Sequence, residues 1–283
     1  MGCLFSNALR QAGCDITLIV RDSSTPSEVM VEHASHSDRF PVAHSHYSDS
    51  SSIDNLLVTT KAYDVDNALA SIAHRLEKYS QVVLLVNGMG FLKNADAALP
   101  PLCCYPGTST EGAYRLDKLH IRHAGTGTTR LGQPGTDTPP LWFDNWSNSP
   151  LDCVWENDIE QALWHKLAIN CAINPLTAVH QCPNGDLLKA EKLKRELDFL
   201  NEEIALVADA AGFTKIASDL EKSVEQVIKG TAGNFSSMLQ DVTAGRRTEI
   251  DYITGYLLSE AERLGMDTPH NRQLYARVKS FEY

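Results

Sequence analysis

Long hydrophobic runs are missing from this 283-residue chain. No apolar stretch approaches the roughly 18 to 20 residues that a bilayer span requires. A basic N-terminal region leading into an apolar core, the mark of a secretory signal, is missing too. Positive charge is short: 25 Lys and Arg stand against 36 Asp and Glu, a net charge of -11. That balance excludes general binding to a phosphate backbone, which the chain would repel. Cysteine forms no C-x-x-C pair, and the seven thiols, Cys3, Cys14, Cys103, Cys104, Cys153, Cys171 and Cys182, are odd in number. A disulfide framework is therefore not expected, and free thiols in a reducing, cytoplasmic compartment are. Disorder is excluded by composition, with 43% hydrophobic and 22% charged residues. The length suits two domains of ordinary size, each able to bury a core without a metal or a disulfide.

Two short patterns invite special readings. Residues 1–6, MGCLFS, match M-G-x-x-x-[ST], with Cys3 placed for palmitate. Leu4, Phe5, Ala8 and Leu9 instead recur at helical spacing, with Gly13 as a stop. A packed helix following a glycine turn is expected, and no membrane anchor. His33, His36, His44 and His46 cluster in a segment without sustained period. Their spacing matches no common zinc pattern, so a solvated loop without a metal is expected.

Ile16–Val20, Leu56–Thr60 and Val82–Val86 are short apolar, β-branched runs. Asp66–Lys78 between the last two reads as an amphipathic helix with Ala70, Ile72, Ala73 and Leu76 inward. Strands alternating with helices imply β-α-β units and a parallel sheet. Residues 22–55 resist placement. Leu119–Ala124 and Gly127–Leu131 suggest an antiparallel meander, followed by a Pro-, Gly- and Asn-rich loop over 132–150. From about residue 158 the pattern is helical: 158–174, 189–211, 218–229, 248–264 and a last helix after Pro269, with Gly212 and Gly265 as terminators. The expected fold is α/β: an N-terminal Rossmann-like parallel-sheet domain, residues 1–152, followed by an all-α domain, residues 153–283.

A dinucleotide fingerprint needs a strand, G-x-G-x-x-G and a helix. Only its last glycine, Gly2, is present here, with the helix and second strand after it. The first strand and two glycines are expected upstream of the present start. Arg21 closes the second strand, where Arg accommodates a 2′-phosphate and an acid would hold a ribose hydroxyl. The neighbouring Asp22 pulls the other way, and an ordinary solvated Arg is an equal reading. Lys61 and Asn87 follow two parallel strands at their carboxyl ends, where ligands of open α/β sheets bind.

The most informative segment is LWHKLAINCAINPLTA, residues 163–178. Lys166, Asn170 and Asn174 stand at i, i+4 and i+8, drifting by about 40° per step, and so form one stripe roughly 12 Å long. One cation and two amides in an otherwise apolar helix suit a small polar acid carrying a hydroxyl. Pro175 is expected to end or kink the helix beside Asn174. A second segment, residues 234–255, offers Ser236, Ser237 and Glu249, with Thr248 able to cap a helix that opens with Glu249 and Asp251.

Together LLVTTKAY, VNGMG, LWHKLAINCAINPLTA, CPNGDL and SSMLQDVTAGRRTEIDYITG resemble, in order and separation, the signature segments of ketopantoate reductases (2-dehydropantoate 2-reductases). The resemblance runs from Gly2 to the last helix. It implies NADPH-dependent reduction of 2-dehydropantoate to (R)-pantoate in pantothenate biosynthesis, by a monomer or homodimer. It implies Lys166 as proton donor, Asn87, Asn170, Asn174, Asn184 and Ser237 as substrate contacts, and Glu249 as a contact of substrate and nicotinamide ribose. Gly2, Arg21, Lys61, Asn87 and Ala113 are implied contacts of NADP. A related 2-keto acid reductase, or a non-catalytic NADP-binding protein of the same fold, remains the alternative.

Overall fold

The computed structural model describes residues 1–22, 24–91 and 103–282. Chain contacts divide it into two compact units, Met1–Val86 with Leu92–Ile159, and Asn87–Phe91 with Glu160–Tyr283. The fold is mixed α/β, with parallel-strand sheet structure first and helical structure after it.

The main sheet of the first unit has the order Asp152–Trp155, Thr128–Leu131, Cys103–Ser109, Leu76–Leu85, Ile53–Val58. Ile53–Val58, Leu76–Leu85 and Cys103–Ser109 run parallel, with Leu57 opposite Val83 and Val83 opposite Tyr105. The run Val82–Val86 is buried throughout, as a parallel strand covered on both faces should be. A second, mixed sheet has the order Ser37–Pro41, Glu28–Glu32, His120–Gly125, Gly112–Asp117. Helix Gly2–Gln11 serves both: Phe5 and Leu9 pack with Val83, Leu85, Tyr105 and Leu131, while Leu4 packs with Val29, Val31, Phe40 and Ile121. Leu4 and Phe5 are each 1% exposed, so the start of this helix is part of the core.

Several expected elements are placed differently. The helix expected over Asp66–Lys78 stops at Ile72; a 3-10 turn, Ala73–Arg75, follows, and Leu76 already begins a strand. Arg75 is the reason. Its buried guanidinium donates to the carbonyls of Ser51 and His46 and to Ser51 Oγ, so the chain is held in a turn that a continuing helix would break. Leu69, not Ala70, faces the core, and Ala70 is exposed. The meander of Leu119–Ala124 with Gly127–Leu131 does not form. His120–Gly125 pairs with Gly112–Asp117 and Glu28–Glu32, whereas Thr128–Leu131 pairs with Cys103–Ser109 and Asp152–Trp155. The segment 22–55 holds a hairpin, Glu28–Glu32 with Ser37–Pro41, and strand Ala43–His46. Thr17–Val20 pairs parallel with Ala43–His46 in a separate two-stranded sheet. The loop over 132–150 carries a short helix, Phe143–Ser147, that buries Phe143 and Trp146 against Phe5 and its neighbours.

The second unit contains helices Ile159–His180, Glu191–Ala210, Thr214–Gly230, Ser237–Thr243, Thr254–Arg263 and Pro269–Lys279. Gly212 and Gly265 have φ of 95° and 70°, the left-handed backbone that terminates helices. The span 248–264 is not one helix: a 3-10 turn, Ile250–Tyr252, precedes Thr254–Arg263. Pro175 does not end its helix, which continues to His180. An interior proline costs about 3 kcal/mol. Cys171, Ala172, Ile173, Leu176 and Ala178 are all buried around it, and full burial of a side chain as large as Ile173 or Leu176 stabilises by about 1.5–3 kcal/mol. Packing therefore outweighs the proline.

Candidate active site

The site grows from helix Ile159–His180, whose apolar residues Leu167, Ala168, Cys171 and Ala172 are buried in the core of the second unit. That packing fixes the rotation of the helix and so the direction of its polar stripe. Lys166 and Asn170 are half-buried on it, and Asn174 is buried. Lys166 Nζ donates to Asn87 Oδ1 at 2.9 Å, across 79 residues of sequence. Burial pushes the Lys166 ammonium down to about 8, against the carboxylate of Glu249, which raises it. A lysine so placed is charged at neutral pH yet holds its proton far less tightly than a free one.

Asn87 owes its position to the glycines that follow it. Gly88 and Gly90 take φ of 83° and 77°. Met89 N donates to Tyr252 O at 2.8 Å, which docks the segment on the turn Ile250–Tyr252. A Cβ on Gly88 would stand 2.3 Å from that same carbonyl oxygen. Glu249, 4% exposed, begins the turn, and its carbonyl accepts from Tyr252 N and Ile253 N. Asn87, Lys166 and Glu249 thus meet although they come from three separated stretches of sequence.

Thr248 does not cap a helix as expected, because only the 3-10 turn Ile250–Tyr252 follows, with Glu249 as its N-cap; its Oγ1 accepts from Ile250 N at 3.2 Å. Its own N–H and hydroxyl donate to Glu282 Oε1 at 2.8 and 2.6 Å. Glu282 accepts from Lys279 on its other oxygen, and Asp251 accepts from Tyr275, Lys279 and Arg247. The C-terminal helix therefore holds the segment that carries Glu249. Sequence pattern did not reveal Glu282, because nothing local links it to a residue 34 positions earlier.

Ser236 caps helix Ser237–Thr243 by accepting from Leu239 N, and its hydroxyl lies 2.7 Å from Thr177 Oγ1. Ser237, the next residue, is exposed. Thr177, fully buried, also lies 3.0 Å from the carbonyls of Ile173 and Asn174. It stands 11 residues after Lys166, about three helical turns, and so on the same face. That signal was present in the sequence but hidden by the expectation that Pro175 ends the helix. Asn184 is buried, with its amide donating to Thr231 Oγ1 at 2.9 Å and its backbone N to Asn234 O, so it shapes the loop before Ser236.

In the first unit, Gly2 opens helix Gly2–Gln11, and a Cβ there would stand 2.9 Å from Thr59 Oγ1. Burial lowers the amine of Met1 below its usual range, with the charges of Arg115 and Lys61 adding to the effect. The positive charges of Lys61 and Arg115 therefore reach the first turn of this helix. Arg115 was not singled out in the sequence, since it lies in the middle of strand Gly112–Asp117, next to the expected Ala113. Arg21, exposed after strand Thr17–Val20, gives its carbonyl to His46 Nε2 at 3.4 Å. Asp22 is engaged by Ser24 and Lys118, and the Ser24 hydrogen bonds hold its carboxyl down at about 2.

Family models described as "Ketopantoate reductase PanE/ApbA" and "Ketopantoate reductase PanE/ApbA C terminal" match residues 1–135 and 158–282. A 2-dehydropantoate 2-reductase of Salmonella typhimurium is 42% identical over 229 residues, 80% of this chain and 74% of that one. Among solved structures, a PanE/ApbA family ketopantoate reductase from Ralstonia eutropha superposes with TM-score 0.87 at 26% identity, covering 99% of this chain and 95% of that one. A probable 2-dehydropantoate 2-reductase from Bacillus subtilis gives TM-score 0.84 at 28% identity, covering 99% and 96%.

Proposed function

The chain belongs to the ketopantoate reductase family, and from that premise we propose how its own residues carry the reaction. The enzyme is a 2-dehydropantoate 2-reductase, reducing the ketone of 2-dehydropantoate to the alcohol of pantoate in pantothenate biosynthesis. The observation that carries the assignment of roles is Lys166, hydrogen-bonded to Asn87 and shifted to about 8 beside Glu249.

A reduced nicotinamide, when bound, supplies a hydride. Residues of the first unit suit a dinucleotide: the N-terminus of helix Gly2–Gln11 favours an anion, and Lys61 and Arg115 supply positive charge near it. Arg21 favours the 2′-phosphate of NADPH over NADH. Ala113 completes this set, and the family resemblance adds Asn87 and Glu249 as further contacts of NADP.

As hydride reaches the ketone carbon, charge builds on the carbonyl oxygen. The Lys166 ammonium stabilises that oxygen and then gives it a proton. Asn87 Oδ1 holds the ammonium in place, and Glu249 keeps it charged near neutral pH. Asn170 and Asn174, one and two turns along the helix, offer amides to the substrate carboxylate and hydroxyl, with Ser237 and Asn184 completing the set. The domain roles follow: the sheet-bearing part of the chain, residues 1–152, holds the dinucleotide, and the helical part, residues 153–283, holds the keto acid.

The test is consumption of NADPH and of NADH with 2-dehydropantoate and a panel of other 2-keto acids. The reading expects turnover fastest with 2-dehydropantoate and NADPH. Faster turnover of another keto acid would replace the substrate, and a Lys166→Ala enzyme with undiminished kcat would remove Lys166 from the mechanism.

A further inference from the structure

We propose a divalent transition-metal site, of the kind that zinc or nickel fills, formed by His33, His36 and Asp38 at the tip of the hairpin Glu28–Glu32 with Ser37–Pro41. One ligand atom from each of the three residues lies within 4.8 Å of the others. The hairpin creates this convergence. His33 N donates to His36 O at 2.8 Å, closing a four-residue turn that brings the two imidazoles face to face, their ring centroids 4.4 Å apart and their planes 8° from parallel. Asp38 returns along the second strand beneath them. The linear spacing of the histidines resembles no common zinc pattern; folding makes the pattern His-x2-His-x-Asp converge, with His44 and His46 left on another strand.

The distances suit a small cation. Zinc with nitrogen and oxygen ligands at about 2.0–2.1 Å in a tetrahedron places those ligands about 3.3 Å from one another. His33 Nε2 stands 3.2 Å from Asp38 Oδ2, and His36 Nε2 3.9 Å from Asp38 Oδ1. The larger separation closes by rotation of His36, whose side chain is 59% exposed.

Three further observations point to a ligand. His33 Nε2 is buried and faces Asp38 Oδ2 at 3.2 Å, about the separation of two ligand atoms sharing one small cation. Asp38 is already oriented: Oδ2 accepts from Asn7 Nδ2 at 2.6 Å and Gln11 Nε2 at 3.0 Å, both on helix Gly2–Gln11. Hydrogen bonds that fix a carboxylate in this way are the usual support of a metal ligand. His33 is also braced, edge-on against His123 at 5.5 Å, while His123 engages Glu111 at 2.6 Å. Two neutral imidazoles and a carboxylate prefer zinc, nickel or copper to calcium or magnesium. The exposed side of His36 leaves room for water as a further ligand. An ion here would fasten the hairpin tip to helix Gly2–Gln11 through Asp38.

The test is calorimetric titration of the purified, reduced chain with Zn2+, Ni2+ and Mg2+, repeated on His36→Asn and Gln11→Ala. His36 is exposed at the tip of a turn, so its replacement leaves the fold intact, which circular dichroism verifies. The expected result is one tight equivalent of Zn2+ or Ni2+ in the wild type, none of Mg2+, and loss of that equivalent in His36→Asn. Gln11→Ala should weaken it by roughly 10-fold or more, as removing a support of a ligand does. Thermal unfolding should rise with Zn2+ in the wild type and not in His36→Asn, since only a native-state site stabilises. No tight equivalent in the wild type, or an equal one in His36→Asn, would overturn the proposal.

Discussion

The pH dependence of turnover is the sharpest test of the site. In the proposed mechanism Lys166 must be protonated to stabilise and protonate the substrate oxygen, and its environment lowers its pKa to about 8 against 10.5 for a free lysine. The difference makes its proton easier to lose by about 300-fold. At pH 7 about nine-tenths of the enzyme carries the ammonium, and at pH 9 about one-tenth, so kcat/KM should fall nearly 10-fold between them. A lysine with its ordinary pKa would show almost no loss over that range. The sign of each perturbation follows. Glu249 raises the Lys166 pKa, so Glu249→Gln should move the descending limb to lower pH. Loss of the Asn87 acceptor in Asn87→Ala removes a hydrogen bond to the charged form and should move it the same way. Lys166→Arg, whose cation does not titrate in this range, should leave weak activity without the limb. The assay is initial-rate NADPH oxidation from pH 6 to 10 at limiting 2-dehydropantoate. A profile flat to pH 10 would refute the lowered pKa, and a limb that Lys166→Arg retains would refute the role of Lys166.

Gly88→Ala should cost about 1–2 kcal/mol for its left-handed backbone alone, with a further loss from contact with Tyr252 O; urea unfolding and a drop in kcat/KM would report it, and wild-type values for both would contradict the docking of residues 87–91. Arg21→Ala should weaken NADPH more than NADH, measured as KM for each; equal losses would leave Arg21 an ordinary surface residue. Glu282→Ala removes the acceptor of two Thr248 donors and should destabilise by about 1–3 kcal/mol, while raising KM through a looser Glu249; an unchanged KM would detach the C-terminal helix from the site. Thr177→Val removes the hydrogen bond between its hydroxyl and Ser236 Oγ and should lower stability by about 0.5–1.5 kcal/mol, read from the urea midpoint, and a neutral result would show that Ser236 rearranges.

Much of this molecule was already written in local pattern. The apolar runs around Leu57 and Val83 became parallel strands, the period of Leu4, Phe5, Ala8 and Leu9 became a buried helix, and Lys166, Asn170 and Asn174 became a stripe, because periods of two and 3.6 are properties of short segments. What the sequence could not determine depends on partners far along the chain. Arg75 cuts short an otherwise plausible helix by reaching carbonyls near residue 50. Pro175 is carried through its helix by a core to which six other described helices contribute. Thr177 then falls on the stripe's face, and Glu282 reaches back to Thr248. Asn87 meets Lys166 only because two left-handed glycines let the chain dock on Tyr252. The lysine was visible from the sequence alone; its lowered pKa required the burial that tertiary structure supplied, against a neighbouring carboxylate that raises it, since desolvation is a property of the packed surroundings and not of the residue.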